Sequence, residues 1–142
     1  MARAAFDAAG SDALLIAAED AHPDVLLRAG GYLFVCPENL AAMSGTMKEM
    51  FDRCYYPLLG RVEGRPYATA IAAGSDGTGA QRQIDRIVSG WRLKRVSEPL
   101  IVITHAQSEA EILAAKRVDA DDLDACGNLG RALAEGLRLG IF

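Results

Sequence analysis

The sequence predicts an α/β fold built on one parallel sheet with helices on both faces. Three observations predict it. Short apolar runs recur along the 142 residues, stretches with apolar residues at helical spacing separate them, and runs such as Tyr32-Leu33-Phe34-Val35-Cys36 lack the polar alternation of a strand with one wet face. Strands and helices in alternation build right-handed βαβ crossovers, which place helices on both faces of a sheet. The length is that of one domain, so residues 1–142 are read as a single unit.

Each element has a local reason. Residues 2–9 are strong helix formers stopped by Gly10. Ala13-Leu14-Leu15-Ile16-Ala17 is expected as a first strand, and Pro23 to Ala29 as a helix with proline at its first position and Gly30-Gly31 as its stop. The run 32–36 is a buried strand ended by Pro37. From Met43, the residues Met43, Met47, Met50, Phe51 and Cys54 fall at spacings of three and four, which predicts an amphipathic helix capped by Ser44 or Thr46. Pro66 to Ala73 is the next buried strand, with proline at its start where no ladder bond is lost. Thr78-Gly79-Ala80-Gln81 has the spacing of a capping box and opens a helix with the stripe Ala80, Ile84, Ile87, Val88 and Trp91. Leu100 to Thr104 is the last strand. Leu123, Cys126, Gly130, Leu133 and Leu137 mark the core side of a final helix whose glycines either cost stability or allow close approach to the sheet.

Composition narrows the partners. A net charge of -4 and a pI near 5.1 give no basic footprint for nucleic acid or for an anionic membrane. No apolar stretch approaches the roughly 20 residues of a membrane span, and the N-terminus has no signal-peptide core, so a cytoplasmic protein is expected. Cys36, Cys54 and Cys126 are odd in number and widely spaced; they read as reduced, buried thiols, with no metal site. His22 and His105 have no ligand partner at suitable spacing, Ser44 has no nucleophile elbow around it, and Arg92, Lys94 and Arg95 read as a solvated patch. No side chain is therefore assigned a catalytic role.

In a parallel sheet ligands bind beyond the carboxyl ends of the strands, where the strand order reverses. That directs attention to the loops after Cys36, Ala73 and Thr104. The first, Pro37-Glu38-Asn39-Leu40-Ala41-Ala42-Met43-Ser44-Gly45, leads into a helix carrying Lys48 and Phe51-Asp52-Arg53. The second, Gly74-Ser75-Asp76-Gly77-Thr78-Gly79, is neither a Walker A loop nor a dinucleotide fingerprint, since no Gly-Lys-Ser/Thr follows and Arg82 stands where a third glycine would be.

On these two loops and the order of elements, the chain resembles the flavodoxin-like NAD(P)H-dependent FMN reductases and quinone reductases, over about Gly31 to Gln107 and more loosely through the helix from Gly127 to Phe142. The resemblance implies a three-layer flavodoxin-like parallel sheet, FMN as cofactor, NAD(P)H as electron donor and a small-molecule acceptor. By the same resemblance the flavin contacts fall on Pro37, Glu38, Asn39, Leu40, Met43, Ser44 and Gly45, and on Gly74, Ser75, Asp76, Gly77 and Gly79. The chain departs from that family at its start. Members open with a strand and a Ser/Thr- and Gly-rich loop that wraps the FMN phosphate, whereas this sequence opens with what reads as the following helix. An N-terminally truncated version of the fold is expected, with FMN binding weak or absent and unpaired strand edges that favour a homo-oligomer. The other reading is a non-catalytic flavodoxin-like binding or assembly module that has lost FMN.

Overall fold

The computed structural model describes residues 1–142. In chain order its elements are α1 (Ala2–Ala9), α2 (Pro23–Arg28), β1 (Tyr32–Asn39), β2 (Ala42–Met43), α3 (Gly45–Leu58), β3 (Pro66–Ala73), α4 (Thr78–Gly90), β4 (Lys94–Arg95), β5 (Leu100–Ile103), α5 (Glu109–Leu113) and α6 (Ala120–Leu139). β1 and β3 pair in parallel from Tyr32↔Tyr67 to Pro37↔Ala72. β5 joins β3 in parallel from Ala70↔Leu100 to Ala73↔Ile103, and the two residues of β4 add to the start of β3. β2 folds back antiparallel on β1, so the sheet is mixed, in the order β2-β1-β3-β4 with β5 also on β3.

Alternation along the strands sorts the side chains into two layers. Tyr32, Phe34, Cys36, Tyr67 and Ile71 lie in one buried cluster with Met47, Met50, Phe51 and Cys54 of α3 and Ile84 and Val88 of α4. The alternate positions carry the buried Ala68 and Ala70, and α6 covers β3 and β5. α1 packs on α6. A Cβ at Gly130 would stand 2.2 Å from the Ala5 carbonyl oxygen, so that glycine serves a contact between helices rather than an approach to the sheet.

The expected strand at 13–17 does not form. Extended backbone is stable as a strand only when its N–H and C=O groups find a ladder. Here the backbone bonds are those of turns, from Ala13 N–H to Gly10 and from Asp20 N–H to Ala17, and Leu14 is 72% exposed. What fixes the following segment is a side chain: the Arg53 guanidinium donates to the carbonyls of Ala18, Glu19 and Ala21. Arg65 does the same for the end of α2, donating to the carbonyls of Leu26, Leu27 and Ala29.

One boundary also shifts. Pro37 does not end its strand, because β1 continues to Asn39 and turns into β2, which carries Met43. α3 starts at Gly45 with Ser44 as its N-cap, as one of the two cap candidates requires, the Ser44 hydroxyl accepting from the Met47 N–H at 3.4 Å. Cys36, Cys54 and Cys126 are buried and free. No helix is long and apolar enough to cross a membrane.

Candidate functional site

The hairpin after Pro37 begins with an unusual turn. Glu38 pairs with Met43 and Asn39 with Ala42, leaving Leu40 and Ala41 as a two-residue connection at φ 53° and 59°. A turn with both φ values positive is normally made by Asn-Gly, and an L-residue with a Cβ costs about 1–2 kcal/mol in that region. Neither position has been relieved by glycine. Leu40 is also fully exposed, so core packing does not explain its presence.

Glu38 binds this hairpin to the next loop. Its Oε1 accepts from the Gly77 N–H at 3.0 Å and its Oε2 from the Ala80 N–H at 2.9 Å. These belong to the N–H groups that a helix start leaves without intrahelical partners, and a carboxylate there also meets the positive end of the helix dipole. The capping box expected at Thr78–Gln81 is therefore not made. Gly77, in the left-handed region at φ 84°, is the N-cap; the Thr78 hydroxyl donates to Asp76 at 2.6 Å, and the Gln81 side chain accepts from Thr69 at 2.6 Å.

Two glycines make the junction possible. A Cβ at Gly77 would stand 2.5 Å from Ile101, and one at Gly79 would stand 2.2 Å from the Ala41 carbonyl oxygen. Further along α4, Gln83 Oε1 accepts from the Met43 N–H at 3.0 Å. The loop after β5 completes the group: the Thr104 N–H donates to the Ala73 carbonyl at 2.8 Å, and the Ala106 carbonyl lies against Gly74. His105, exposed in that loop, is at φ 54°. Of the four non-glycine residues with positive φ, Leu40, Ala41 and His105 thus stand at the carboxyl end of the parallel strands; Arg92 lies elsewhere.

The structure separates the sequence candidates into groups. Glu38, Gly77 and Gly79 meet at one point, while Pro37 and Asn39 lie on β1 rather than in a loop. Met43 is buried in the core and Ser44 is engaged as a cap. Leu40, Asn39, Gly45, Ser75 and Asp76 are exposed, and Gly74 faces the loop after β5. Lys48 pairs with Asp52 at 2.6 Å, Phe51 is a core ring and Arg53 is a carbonyl clamp, so that helix segment has structural work of its own. Burial pushes the Cys36 thiol up, against the lowering effect of the Ser44 N–H. Burial also raises the Tyr67 phenol, with the Asp85 carboxylate that accepts its proton at 2.8 Å adding to the shift. Both groups stay protonated at neutral pH.

The joint between Glu38 and α4 links residues roughly forty apart, and no local pattern in the sequence announces it. The bond from Met43 to Gln83 is of the same kind. The glycines at 77 and 79 are the signal that was present: they mark a place where backbone comes close to other backbone.

An isoalloxazine ring needs backbone donors at its polar edge and a flat wall beside it. The turn at Leu40-Ala41 lies against Gly79 and the Ala106 segment against Gly74, which brings three loops to one edge of the sheet. A phosphate needs a cluster of donors at a helix start. Residues 1–9 include no Ser, Thr or Gly, Met1 makes no side-chain cap on α1, and the leading N–H groups of α4 are occupied by Glu38. Among these groups the leading N–H donors of α4 are taken by Glu38 and are not open to a phosphate.

No family model and no curated protein matches the chain. Solved structures do. A flavodoxin from the domain Archaea is similar over 96% of this chain and 87% of its own, at 19% identity and a TM-score of 0.75. A flavodoxin, WrbA-like protein from Agrobacterium tumefaciens is similar over 96% of this chain and 87% of its own, at 16% identity and a TM-score of 0.72. An NADPH-quinone reductase from P. pentosaceus is similar over 79% of this chain and 71% of its own, at 13% identity and a TM-score of 0.55. At such identities the likeness is one of backbone, and it shows that the chain has the three-layer flavodoxin-like fold.

Proposed function

We propose that the chain is an FMN-dependent oxidoreductase that takes hydride from NAD(P)H and passes it to a small acceptor such as a quinone or a free flavin. The observation that carries this reading is the edge where β1, β3 and β5 end. There Glu38 joins two loops distant in sequence, beside backbone held left-handed at Leu40, Ala41 and His105. Strain kept at one edge holds donors in directions that relaxed turns do not offer. FMN supplies the hydride chemistry when bound; the chain presents backbone to the ring and needs no side-chain acid or base. In this reading FMN is held weakly, since the leading N–H groups of α4 are occupied by Glu38. The protein acts in the cytoplasm as a homo-oligomer, with a second copy covering the outer edge of β1.

One observation favours the second reading, a non-catalytic module: the helix-start donors that an anionic ligand would use are filled by the chain's own carboxylate. Absorbance of the purified protein with added FMN, followed by an assay of NADPH oxidation, separates the two. A shifted flavin spectrum that bleaches with NADPH supports the oxidoreductase. An unperturbed spectrum at millimolar FMN supports the module.

A further inference from the structure

Between α3 and α4 a groove of about 500 Å³ is lined by Ala41, Met43, Lys48, Gly79, Gln83 and Ile87 together with Arg82 and Arg86. Most arginines of the chain are engaged. Arg53 and Arg65 clamp carbonyls, and Arg28, Arg92, Arg95 and Arg138 pair with carboxylates. Arg82 and Arg86 do neither, although both are exposed and stand one helical turn apart on α4. Like charges at that spacing repel, so the arrangement costs helix stability unless an anion lies between them.

The acidic groups nearby do not neutralise the pair. Glu38 is spent on the N–H groups of α4, and Asp52 is paired with Lys48. Asp85 is turned to Tyr67, Gln81 and Arg95. Gln83 uses its carbonyl on the Met43 N–H, which leaves its amide N–H groups free. A chain of net charge -4 therefore keeps two unpaired guanidinium groups and an amide donor beside an apolar floor of Met43 and Ile87, with Lys48 of the Lys48–Asp52 pair at the groove's edge.

We infer that this groove binds a small molecule carrying two phosphate groups on an apolar or aromatic body, such as a nucleoside diphosphate. Two arginines one helical turn apart, with backbone positions about 6 Å apart along the axis, can reach adjacent phosphates, and each can take a forked pair of hydrogen bonds. The floor accepts the body. Whether such a ligand also serves as the hydride donor rests on the flavin reading; the binding itself does not.

The test is a calorimetric titration of the flavin-free protein with ADP, repeated on Arg82→Gln, Arg86→Gln, the double variant and Arg92→Gln. All of these side chains are exposed, so the fold is kept. The expected result is saturable one-to-one binding, weakened about tenfold by either groove variant and about a hundredfold by the double variant. It should be unchanged in Arg92→Gln and absent for adenosine. No saturation at millimolar ADP, equal affinity in the double variant, or equal binding of adenosine would each overturn the assignment. Because no flavin enters the experiment, its outcome is independent of whether FMN binds.

Discussion

The two faces of the sheet are built from different material. On the α3 and α4 side, Phe34, Phe51 and Trp91 pack ring against ring at a tilt of 49°, with centroids 5.1 Å and 5.5 Å apart, inside a cluster of 17 buried residues. On the α1 and α6 side the sheet offers alanines, Leu33 and Val35 remain half-buried, and α1 rests on α6 through the backbone contact at Gly130. The site is joined to the first face: Glu38 and Met43 tie the hairpin to α4, and α4 is seated in the aromatic cluster. Its geometry is therefore set by the tight layer, and the loose layer can change without moving it.

Removing a ring from the tight face should have the largest effect. Phe51 is 1% exposed, and Phe51→Ala should cost about 3–5 kcal/mol, read as a fall in urea midpoint for the whole molecule. The matching change on the loose face is Gly130→Ala, whose methyl would meet the Ala5 backbone. It should cost about 1–3 kcal/mol and free α1 before the rest unfolds, seen as fast amide exchange confined to residues 2–9. If Gly130→Ala instead lowered the midpoint uniformly, the contrast between the faces would fail.

A third change should raise stability. Replacing Leu40-Ala41 with Asn-Gly gives the turn the residues its φ values favour, and should add about 1–2 kcal/mol in thermal unfolding. It should also loosen the hold on any ring placed against the turn, because glycine leaves that backbone free to move. No gain in stability would mean that the left-handed turn stores no strain.

How much of this was legible beforehand depended on the range of the interactions. The runs 32–36, 66–73 and 100–104 became strands, and α1 and α2 appeared as read, because local pattern and terminators decide them. Ser44 was legible as a cap for the same reason. The run 13–17 has the composition of a strand but no neighbour to pair with, and composition cannot report a missing neighbour. Pro37 looked like a stop, yet β1 carries on through it to a hairpin. The bond network of Glu38 was hidden because a carboxylate forty residues away replaced the local box at Thr78–Gln81.

The smallest effect concerns α5. The Ser108 N–H, the Ser108 hydroxyl and the Gln107 N–H all donate to Glu111 and hold its carboxyl below the usual range. A carboxyl lowered in the folded state contributes stability above its unfolded value and loses it as pH falls through the folded one. α5 should thus be intact at neutral pH and fray on acidification below the ordinary carboxylate range, with Glu111→Gln frayed at every pH. Amide shifts of residues 108–114 across an acid titration check this.

In the proposed site the loops joined by Glu38 would hold a flavin by its ring alone. Riboflavin and FMN share the ring and differ in the phosphate, so parallel titrations of the two by flavin fluorescence quenching test it most directly. Weak, saturable binding of both is expected, with affinities within a few-fold of each other and reduced together by Glu38→Ala. FMN binding a hundredfold or more tighter than riboflavin would contradict it by revealing a phosphate site in this chain, and binding of neither would remove the ring site itself.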